Sequence, residues 1–411
     1  MSGDTGFILI CAALVFIMTP GLALFYGGLG RRKNMVSNMM NSVFILGLGM
    51  TLYMLIGYSL SFGEGGGTFI GSLKNICLIG ITKDSMYSES LPTYAFIAFQ
   101  MMFALITPAI ITGSVAGRMK FKALFIFISL WSVLVYYPLA HMVWGGGLIG
   151  AKIGALDFAG GDVVHISSGT TGLILAIILG KRYGYAQISY RVHNIPFVML
   201  GTGLLWLGWF GFNAGSALAA DGLAAHAFMT TAISAAAACI AWMFIDIFKQ
   251  DKPTMIGACT GILAGLVGIT PAAGFVSMSG ALIIGISTSF VCYFGIALIK
   301  KILKIDDALD AFGCHGIGGI WGGIMTGILV EPSLNSVREG VGGLIFGSFE
   351  QLGAQILGIL ATFVIVIAGT LIAVAITKIF TDIRVSKRDE FIGLDASEHG
   401  ENAYPSFLGL D

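Results

Sequence analysis

Two histidines stand inside apolar segments of this 411-residue chain, and each follows an aspartate by eight residues. The first is His165, in the stretch DFAGGDVVHISSGTTG that begins at Asp157. The second is His315, in the stretch DALDAFGCHGIGGIWG that begins at Asp307. An imidazole can accept or donate a proton near neutral pH, and ionisable groups in apolar segments are costly and usually face an interior cavity. The two histidines are therefore the first candidates for function.

The nearby carboxylates favour structural roles. Asp162 stands at the start of an apolar run, where a carboxylate is expected to cap the free N–H groups of a helix. Asp157 precedes it in a glycine-rich turn, where it would order the turn and add negative potential at an outer entrance. We interpret Asp310 as the counterpart of Asp157 on the inner side.

The composition excludes a soluble domain. The mean hydropathy is +0.90, and only 11% of the residues are charged, against roughly 25% in soluble domains. The net charge is zero and no basic cluster is interleaved with aromatic residues, which argues against a nucleic-acid partner. The six cysteines show no metal-ligand spacing and no HExxH motif is present, so no metal and no cofactor are predicted.

Apolar runs long enough to cross a bilayer dominate the chain, since a spanning helix needs roughly 20 apolar residues. Eleven such runs lie near 6–30, 35–62, 92–116, 123–147, 162–180, 195–219, 226–248, 254–273, 276–299, 310–330 and 350–379. With the N-terminus outside, 18 of the 22 Lys and Arg residues fall on the inner side, and the other four are Lys74, Lys83, Lys152 and Arg338. By the positive-inside rule, the pattern predicts an all-α polytopic protein of the cell membrane, N-terminus out and C-terminus in. Residues 1–380 form its transmembrane domain and residues 381–411 a cytoplasmic tail.

The two histidine segments also form an internal repeat. Their aspartates and histidines align, and Gly169 and Gly172 align with Gly319 and Gly322. The fifth span runs inwards and the tenth runs outwards, so the copies are related by inversion, with five spans in each half and one added span. Inverted repeats are typical of transporters and channels whose site lies near the midplane. The pattern favours a pore-lining histidine pair bonded through its Nδ atoms.

Long motifs resemble those of one family. DFAGGDVVHISSG is similar to the signature of the ammonium transporter family (the Amt/Mep/Rh superfamily), nearer to the Amt branch. Other matching stretches are PGLALFYGGLGRRKN at 20–34, GWFGFNAGSAL at 208–218, ITPAAGFV at 269–276, DDALDAFGCHGIGGIWGGIMTGI at 306–328 and GLDASEHGENAYPSF at 393–407. The resemblance covers nearly the whole chain, but Asp162 occupies a position where the family signature has a small or hydroxyl residue.

The resemblance implies an outer vestibule that binds ammonium. By their motifs, Trp144, Phe103 and Ser216 look like its aromatic pair and hydroxyl, and Phe103 with Phe212 looks like the stacked pore gate. A cation held over aromatic faces is stabilised, and a hydroxyl oxygen accepts one of its N–H bonds. Without the resemblance, Trp144 would be typical of the interfacial aromatic belt, and Phe103 of a lipid-facing or core residue.

The resemblance also identifies His165 and His315 as the twin histidines of the pore. The implied function is electrogenic ammonium uptake, in which ammonium is deprotonated near Asp157 and the gate and crosses as ammonia. The tail pattern of Gly393, Asp395 and His399 implies regulation and binding of a PII-type signal protein. The family is trimeric, so a homotrimer is expected.

Other functions fit the sequence less well. An ammonium sensor with the same fold is the main alternative, although the tail after the last span is only about thirty residues. Rh-like conduction of a neutral gas would not need the cation site at Trp144 and Phe103. An intramembrane metalloenzyme lacks a third ligand at helical spacing beside either histidine, so we predict that the chain is not an enzyme.

Overall fold

The chain is helical, with no β-strand in the described residues beyond two isolated bridges. The computed structural model describes residues 2–187, 190–335 and 337–404. The predicted tail is thus described as far as residue 404, and its last seven residues, 405–411, lie outside the described part.

Fourteen α-helices form the frame of the described chain. They are α1 (Ser2–Leu29), α2 (Met35–Leu52), α3 (Tyr58–Phe62), α4 (Thr93–Val115), α5 (Phe121–Trp131), α6 (Tyr137–Trp144), α7 (Ser167–Leu179), α8 (Ile195–Gly215), α9 (Gly222–Gln250), α10 (Met255–Ile269), α11 (Met278–Ala297), α12 (Ile317–Leu329), α13 (Glu350–Phe380) and α14 (Lys387–Ile392). Seven π-helical segments lie at Tyr53–Gly57, Ser132–Tyr136, Leu148–Ile153, Gly161–Ile166, Leu298–Ile302, Phe312–Gly316 and Asp395–His399. Short 3₁₀ turns lie at Arg32–Asn34, Ile76–Leu78 and Leu344–Phe346.

Nine helical segments of the described chain are long and apolar enough to cross a membrane. They are Ser2–Leu29, Arg32–Phe62, Thr93–Val115, Phe121–Ile153, Gly161–Leu179, Ile195–Gly215, Gly222–Gln250, Met278–Ile302 and Glu350–Phe380. The other two predicted runs correspond to α10 and to Phe312–Gly316 followed by α12, which are shorter than the roughly 20 residues of a full crossing. The count of eleven stays a prediction.

The predicted break between 254–273 and 276–299 is confirmed, and its cause is local. Pro271 lies in a turn after α10 and has no N–H group to continue a helical ladder. The next helix, α11, then begins with its own cap, because the Ser277 hydroxyl accepts a bond from the Gly280 N–H at 3.3 Å.

Helices α1 and α8 form the most extensive helix pair, and glycines let their backbones approach. A Cβ atom added to Gly201 would lie 2.7 Å from the carbonyl oxygen of Gly21, and one added to Gly211 would lie 2.9 Å from that of Cys11. Small residues at such contacts are the usual means of packing helices closely in membranes. By the predicted order, this contact joins the first span to the sixth.

The two histidine-bearing segments pack against each other in the same way. A Cβ atom added to Gly169 would clash with the backbone of Gly316, and one added to Gly319 would lie 3.0 Å from the Cβ of His165. The aligned glycines of the repeat therefore make reciprocal contacts. They bring the π-helical starts of the two segments, Gly161–Ile166 and Phe312–Gly316, into the interior of the bundle.

The tail packs on the ends of the helices. The Asp395 carboxylate accepts a bond from the Ser37 N–H at 2.8 Å at the start of α2. The Glu398 carboxylate accepts one from the Phe121 N–H at 2.9 Å at the start of α5. Arg384 donates to two carbonyl groups at and after the end of α7. The tail thus supplies partners to backbone groups that helix ends leave unpaired.

Candidate functional site

An open cavity of about 360 Å³ brings together the predicted vestibule residues Trp144, Phe103 and Ser216. Trp144 ends α6, and its indole Nε1–H donates to the carbonyl oxygen of Asp157 at 2.9 Å. The ring of Phe103 meets it edge to face, with centroids 5.8 Å apart and planes at 87°. The hydrogen bond and the packed ring fix the orientation of the indole against this cavity.

Ser216 adds a polar atom to a lining that is rich in aromatic rings. It lies just after α8, and its hydroxyl donates to the carbonyl oxygen of Phe212 at 2.9 Å. Because the hydrogen is used in that bond, the hydroxyl oxygen keeps its lone pairs for a guest. An accepting oxygen beside aromatic rings is the chemistry that suits a small cation with N–H donors.

Phe103 and Phe212 close the bottom of the vestibule. Their rings are stacked, with centroids 4.2 Å apart and planes at 24°, and both side chains are fully buried. Phe103 lines the vestibule, and Phe212 lines the next cavity, which has a volume of only about 10 Å³. That space is about that of one water molecule, so a hydrated ion does not fit.

His165 and His315 lie against the narrow cavity and are both buried. Their Nδ1 atoms are 3.2 Å apart, and their ring planes meet at 31°. Nδ1 of one ring must donate and Nδ1 of the other must accept, so the two rings hold complementary tautomers. Nε2 of His165 has no hydrogen-bond partner in the described chain, which leaves it available to a guest.

Trp209 is a pore residue that the sequence did not single out. Its ring stacks on His165, with centroids 5.3 Å apart and planes at 20°. Its indole N–H donates to the Thr270 hydroxyl at 2.9 Å, which fixes the ring. The only signal in the sequence was its position in the matching stretch GWFGFNAGSAL, three residues before Phe212.

Asp157 is the cap of the first histidine segment. Its two carboxylate oxygens accept bonds from four consecutive N–H groups, at 2.7, 2.6, 2.8 and 3.3 Å, on residues 160–163. The prediction that Asp162 caps this helix is wrong. Asp162 already lies inside the π-helical turn, where its carboxylate approaches Gly358 of α13 and cannot reach the free N–H groups behind it.

Asp307, and not Asp310, is the counterpart of Asp157, so that interpretation of Asp310 is wrong. The Asp307 carboxylate accepts a bond from the Phe312 N–H at 2.8 Å, at the start of the second histidine segment. Asp310 instead forms an ion pair with Lys300 at 2.7 Å. The reason is the backbone conformation of Asp310, which lies in the left-handed region with φ of 61°. Its side chain therefore points towards Lys300, just after the end of α11, and not towards the start of the second histidine segment.

A third cavity, of about 60 Å³, continues beyond the histidines. His315 lines it together with Tyr26, Asp310 and Cys314. His315 also lines the narrow cavity, so the vestibule, the phenylalanine pair, the narrow cavity and this inner cavity follow one another. The arrangement is a constricted, largely apolar path with one polar pair near its middle.

A buried ion cluster lies next to the end of this path beyond the histidines, and sequence reasoning did not predict it. Arg118 is fully buried and lies 3.3 Å from Asp306, which also binds Arg182 at 2.7 Å. Burial alone would raise the pKa of Asp306, but the two guanidinium groups outweigh it and hold that pKa below its ordinary value. The cluster ties the end of α4 to the loops after α7 and before α12.

The predicted tail residues line none of the three cavities along this path. Gly393 has φ of 114° and packs directly on Lys33, so only glycine fits there. His399 packs edge to face on Phe121, with centroids 5.2 Å apart, while Asp395 caps α2. These three residues connect the tail to the helix ends and do not reach the pore lining.

Comparisons with known proteins agree with this geometry. The sequence model described as the Ammonium Transporter Family matches residues 6–404. An ammonium transporter of Bacillus subtilis (strain 168) is 49% identical over 403 residues, covering 98% of this chain and 98% of that protein. The crystal structure of Saccharomyces cerevisiae Mep2 matches with a TM-score of 0.88 at 35% identity, covering 99% of this chain and 94% of that one. A structure titled Sensor Amt Protein matches with a TM-score of 0.88 at 28% identity, over 97% of this chain and 98% of that one.

Proposed function

This chain belongs to the ammonium transporter family and is a multi-pass membrane protein, and we propose that it moves ammonium into the cell by conducting ammonia through the cavities described above. In this proposal ammonium binds in the vestibule and releases its proton to the vestibule water, and the resulting ammonia passes the phenylalanine gate and the histidine pair. The proton crosses separately, so that the net uptake carries one positive charge per ammonium. The observation that carries the proposal is the buried His165–His315 contact of 3.2 Å at the centre of a narrow apolar path.

We infer eleven spans, with the N-terminus outside and the C-terminus inside, built as two inverted halves of five spans and one added helix. Three contacts support the inversion. The aligned glycines Gly169 and Gly319 pack reciprocally, and α1 pairs with α8 as the first span of each half would. Asp157 and Asp307 each accept bonds from N–H groups at the start of their own histidine segment. Residues 1–380 then form the transport domain and 381–411 the cytoplasmic regulatory tail.

Recruitment of ammonium is assigned to Trp144, Phe103 and Ser216. Aromatic faces stabilise a cation by roughly 0.5–2 kcal/mol, and more where water is excluded. The hydroxyl oxygen of Ser216 can accept one N–H bond, because its own hydrogen is bound to the Phe212 carbonyl. Ammonium and potassium are similar in charge, so this site concentrates cations without selecting between them.

Selection follows below the vestibule, where a bare cation would pay a desolvation cost of the order of tens of kcal/mol in the apolar path. Ammonium avoids this cost by releasing a proton, whereas potassium has no proton to release. The four N–H bonds to Asp157 occupy both of its carboxylate oxygens. We therefore assign Asp157 an electrostatic effect on the bound cation and a structural role, and not that of the proton acceptor.

The expected partners follow from the family. We infer a homotrimer in the lipid bilayer and a PII-type signal protein at the cytoplasmic face. The tail supports regulation, because Asp395 and Glu398 couple it to the starts of α2 and α5. The relatives are named transporters, which points to a transport function and away from an enzyme.

The decisive experiment is current recording on proteoliposomes given pulses of ammonium, methylammonium and potassium. Currents with the first two and none with potassium are expected for selective, electrogenic uptake. Rapid internal alkalinisation without current would show passive ammonia conduction and would contradict the electrogenic part only. The absence of both would contradict the transport proposal.

An ammonium sensor is the second candidate, favoured by the likeness to the structure titled Sensor Amt Protein. The sensor would keep the vestibule but would not need an open path past the histidines. Ammonium binding to the purified protein without any transport in proteoliposomes would support this candidate.

A further inference from the structure

A second large cavity, of about 500 Å³, lies on the tail side of the molecule and shares no lining residue with the transport path. It opens between the loop that joins α1 to α2, the loop before α8, and the tail. Four basic side chains line it: Arg31, Arg32, Lys33 and Arg191. The volume is that of an ordinary small-molecule site.

These four charges are not neutralised within the described chain. None of them has a carboxylate within 4.0 Å there. Asp395 is the one acidic residue that lines the cavity, and its carboxylate is bound to the Ser37 N–H at the start of α2. Among the described residues, the cavity lining therefore carries a net positive charge, and none of its four basic side chains forms an ion pair.

Aromatic rings hold the guanidinium groups in place without neutralising them. Arg31 lies over the ring of Tyr190 at 3.8 Å, and Arg32 lies over that of Tyr404 at 5.1 Å. Burial, with the nearby positive charge of Arg182, holds the pKa of Arg31 below its ordinary value. A bound anion would relieve this unfavourable burial of positive charge.

We propose that this cavity binds a phosphate-bearing anion, either the headgroup of an acidic lipid or a soluble phosphate compound. Guanidinium groups form paired, charge-assisted hydrogen bonds with phosphate oxygens, and arginine clusters are the usual means of recognising them. Basic pockets on the cytoplasmic side of membrane helices also suit acidic lipid headgroups. The proposal is independent of ammonium transport.

The bound anion would also stabilise the contact between the tail and the two loops. Arg32 belongs to the loop after α1, Arg191 to the loop before α8, and Tyr404 to the tail, and all three line the cavity. A phosphate group that bonds both arginines would bridge the two loops beneath the tail. Its loss would therefore loosen the tail from the helix ends.

Two binding measurements on the full-length protein distinguish the two sources. Equilibrium dialysis with labelled ATP in a neutral detergent tests a soluble phosphate compound. Native mass spectrometry of protein taken from phosphatidylglycerol and phosphatidylcholine mixtures tests a lipid headgroup. We expect saturable binding of one ligand per chain in at least one of the two, and about a tenfold or greater loss in the double variant R32Q/R191Q, since it removes two charge-assisted contacts.

The matched control is K301Q/K304Q, which removes two exposed positive charges outside the cavity and should bind like the wild type. The charge-preserving variant R32K/R191K should recover part of the affinity. Size-exclusion profiles check that each variant is folded. If R32Q/R191Q does not fold, the single variant R191Q, at an exposed position, replaces it in the binding measurements. Absence of saturable binding in both measurements, or equal losses in R32Q/R191Q and K301Q/K304Q, would overturn the proposal.

Discussion

The Nδ1 atoms of His165 and His315 lie 3.2 Å apart, so a single hydrogen joins the two rings. If both rings were imidazolium ions, two N–H donors would point at each other. The contact therefore requires at least one bare Nδ1, and in the fully neutral pair one ring presents a bare Nε2 and the other an Nε2–H. Such a pair offers one acceptor and one donor, which suits neutral ammonia better than a cation.

Replacing this pair should remove selectivity. In H165D/H315A a carboxylate replaces one neutral ring and the other ring is lost, so we expect a path that admits cations, with potassium currents approaching those of ammonium. Proteoliposome currents under matched gradients provide the measurement. H226Q is the control, because His226 binds the Val276 carbonyl and lines none of the described cavities of the path. Intact discrimination against potassium in the double variant would show that the pair does not select.

Loss of the vestibule indole should weaken recruitment. W144L removes an aromatic face worth roughly 0.5–2 kcal/mol to a cation, so the KM for ammonium should rise about two- to thirtyfold while maximal flux changes less. W206L serves as the control, since Trp206 lies outside the vestibule lining. An unchanged KM, together with unchanged preference for ammonium over methylammonium, would show that the vestibule assignment is wrong.

The sequence predicted the helical elements well because span formation depends on local composition. The apolar runs near 92–116 and 350–379 differ by one residue or less at each end from the observed α4 and α13. The shared spacing of the two histidine segments identified the pair that the structure brings together. In an inverted repeat, residues at matching positions of the two copies are placed by the same local pattern.

Long-range and irregular features were not predictable in this way. From the sequence alone, Arg118 is indistinguishable from other basic residues in the loops between spans. Its burial depends on Asp306, which lies in a loop 188 residues further along the chain. The capping of this segment by Asp157 in place of Asp162 has a local cause instead. The π-helical turn at Gly161–Ile166 begins earlier than an apolar-run count indicates, which moves the free N–H groups within reach of Asp157.

The cap formed by Asp157 should be essential for folding. D157A leaves four buried N–H groups without partners, and each unpaired group costs about 1–3 kcal/mol, so we expect little folded protein in the membrane. D157N keeps one accepting oxygen and should be partly folded. D162N is the matched control and should fold normally, because Asp162 accepts none of these bonds. Fluorescence-detected size exclusion measures all three, and equal yields for D157A and D162N would contradict the cap.

The ion cluster at Asp306 should make stability depend on acid pH. Since the folded-state pKa of Asp306 lies below its ordinary value of about 3.9, its stabilisation is complete above that value and is lost as the pH falls through the lower folded-state pKa. The difference in melting temperature between wild type and D306N should thus be constant from about pH 5 to about pH 7 and should narrow below about pH 4. D84N, at an exposed position, is the control. A difference that grows on acidification would refute this assignment.

The tail contacts predict coupled effects on stability and regulation. Asp395 and Glu398 accept bonds from the first N–H groups of α2 and α5, and loss of a cap costs about 0.5–2 kcal/mol. D395A/E398A should therefore lower the melting temperature, alter methylammonium uptake and weaken binding of a PII-type protein, because the tail no longer holds the helix ends. E401A removes an exposed tail charge outside these contacts and should behave like the wild type. A chain shortened at Arg384 should show larger changes than the double variant in melting temperature, methylammonium uptake and PII binding. If the shortened chain changes neither uptake nor PII binding, the tail has no regulatory role, and its contacts with α2 and α5 serve stability alone.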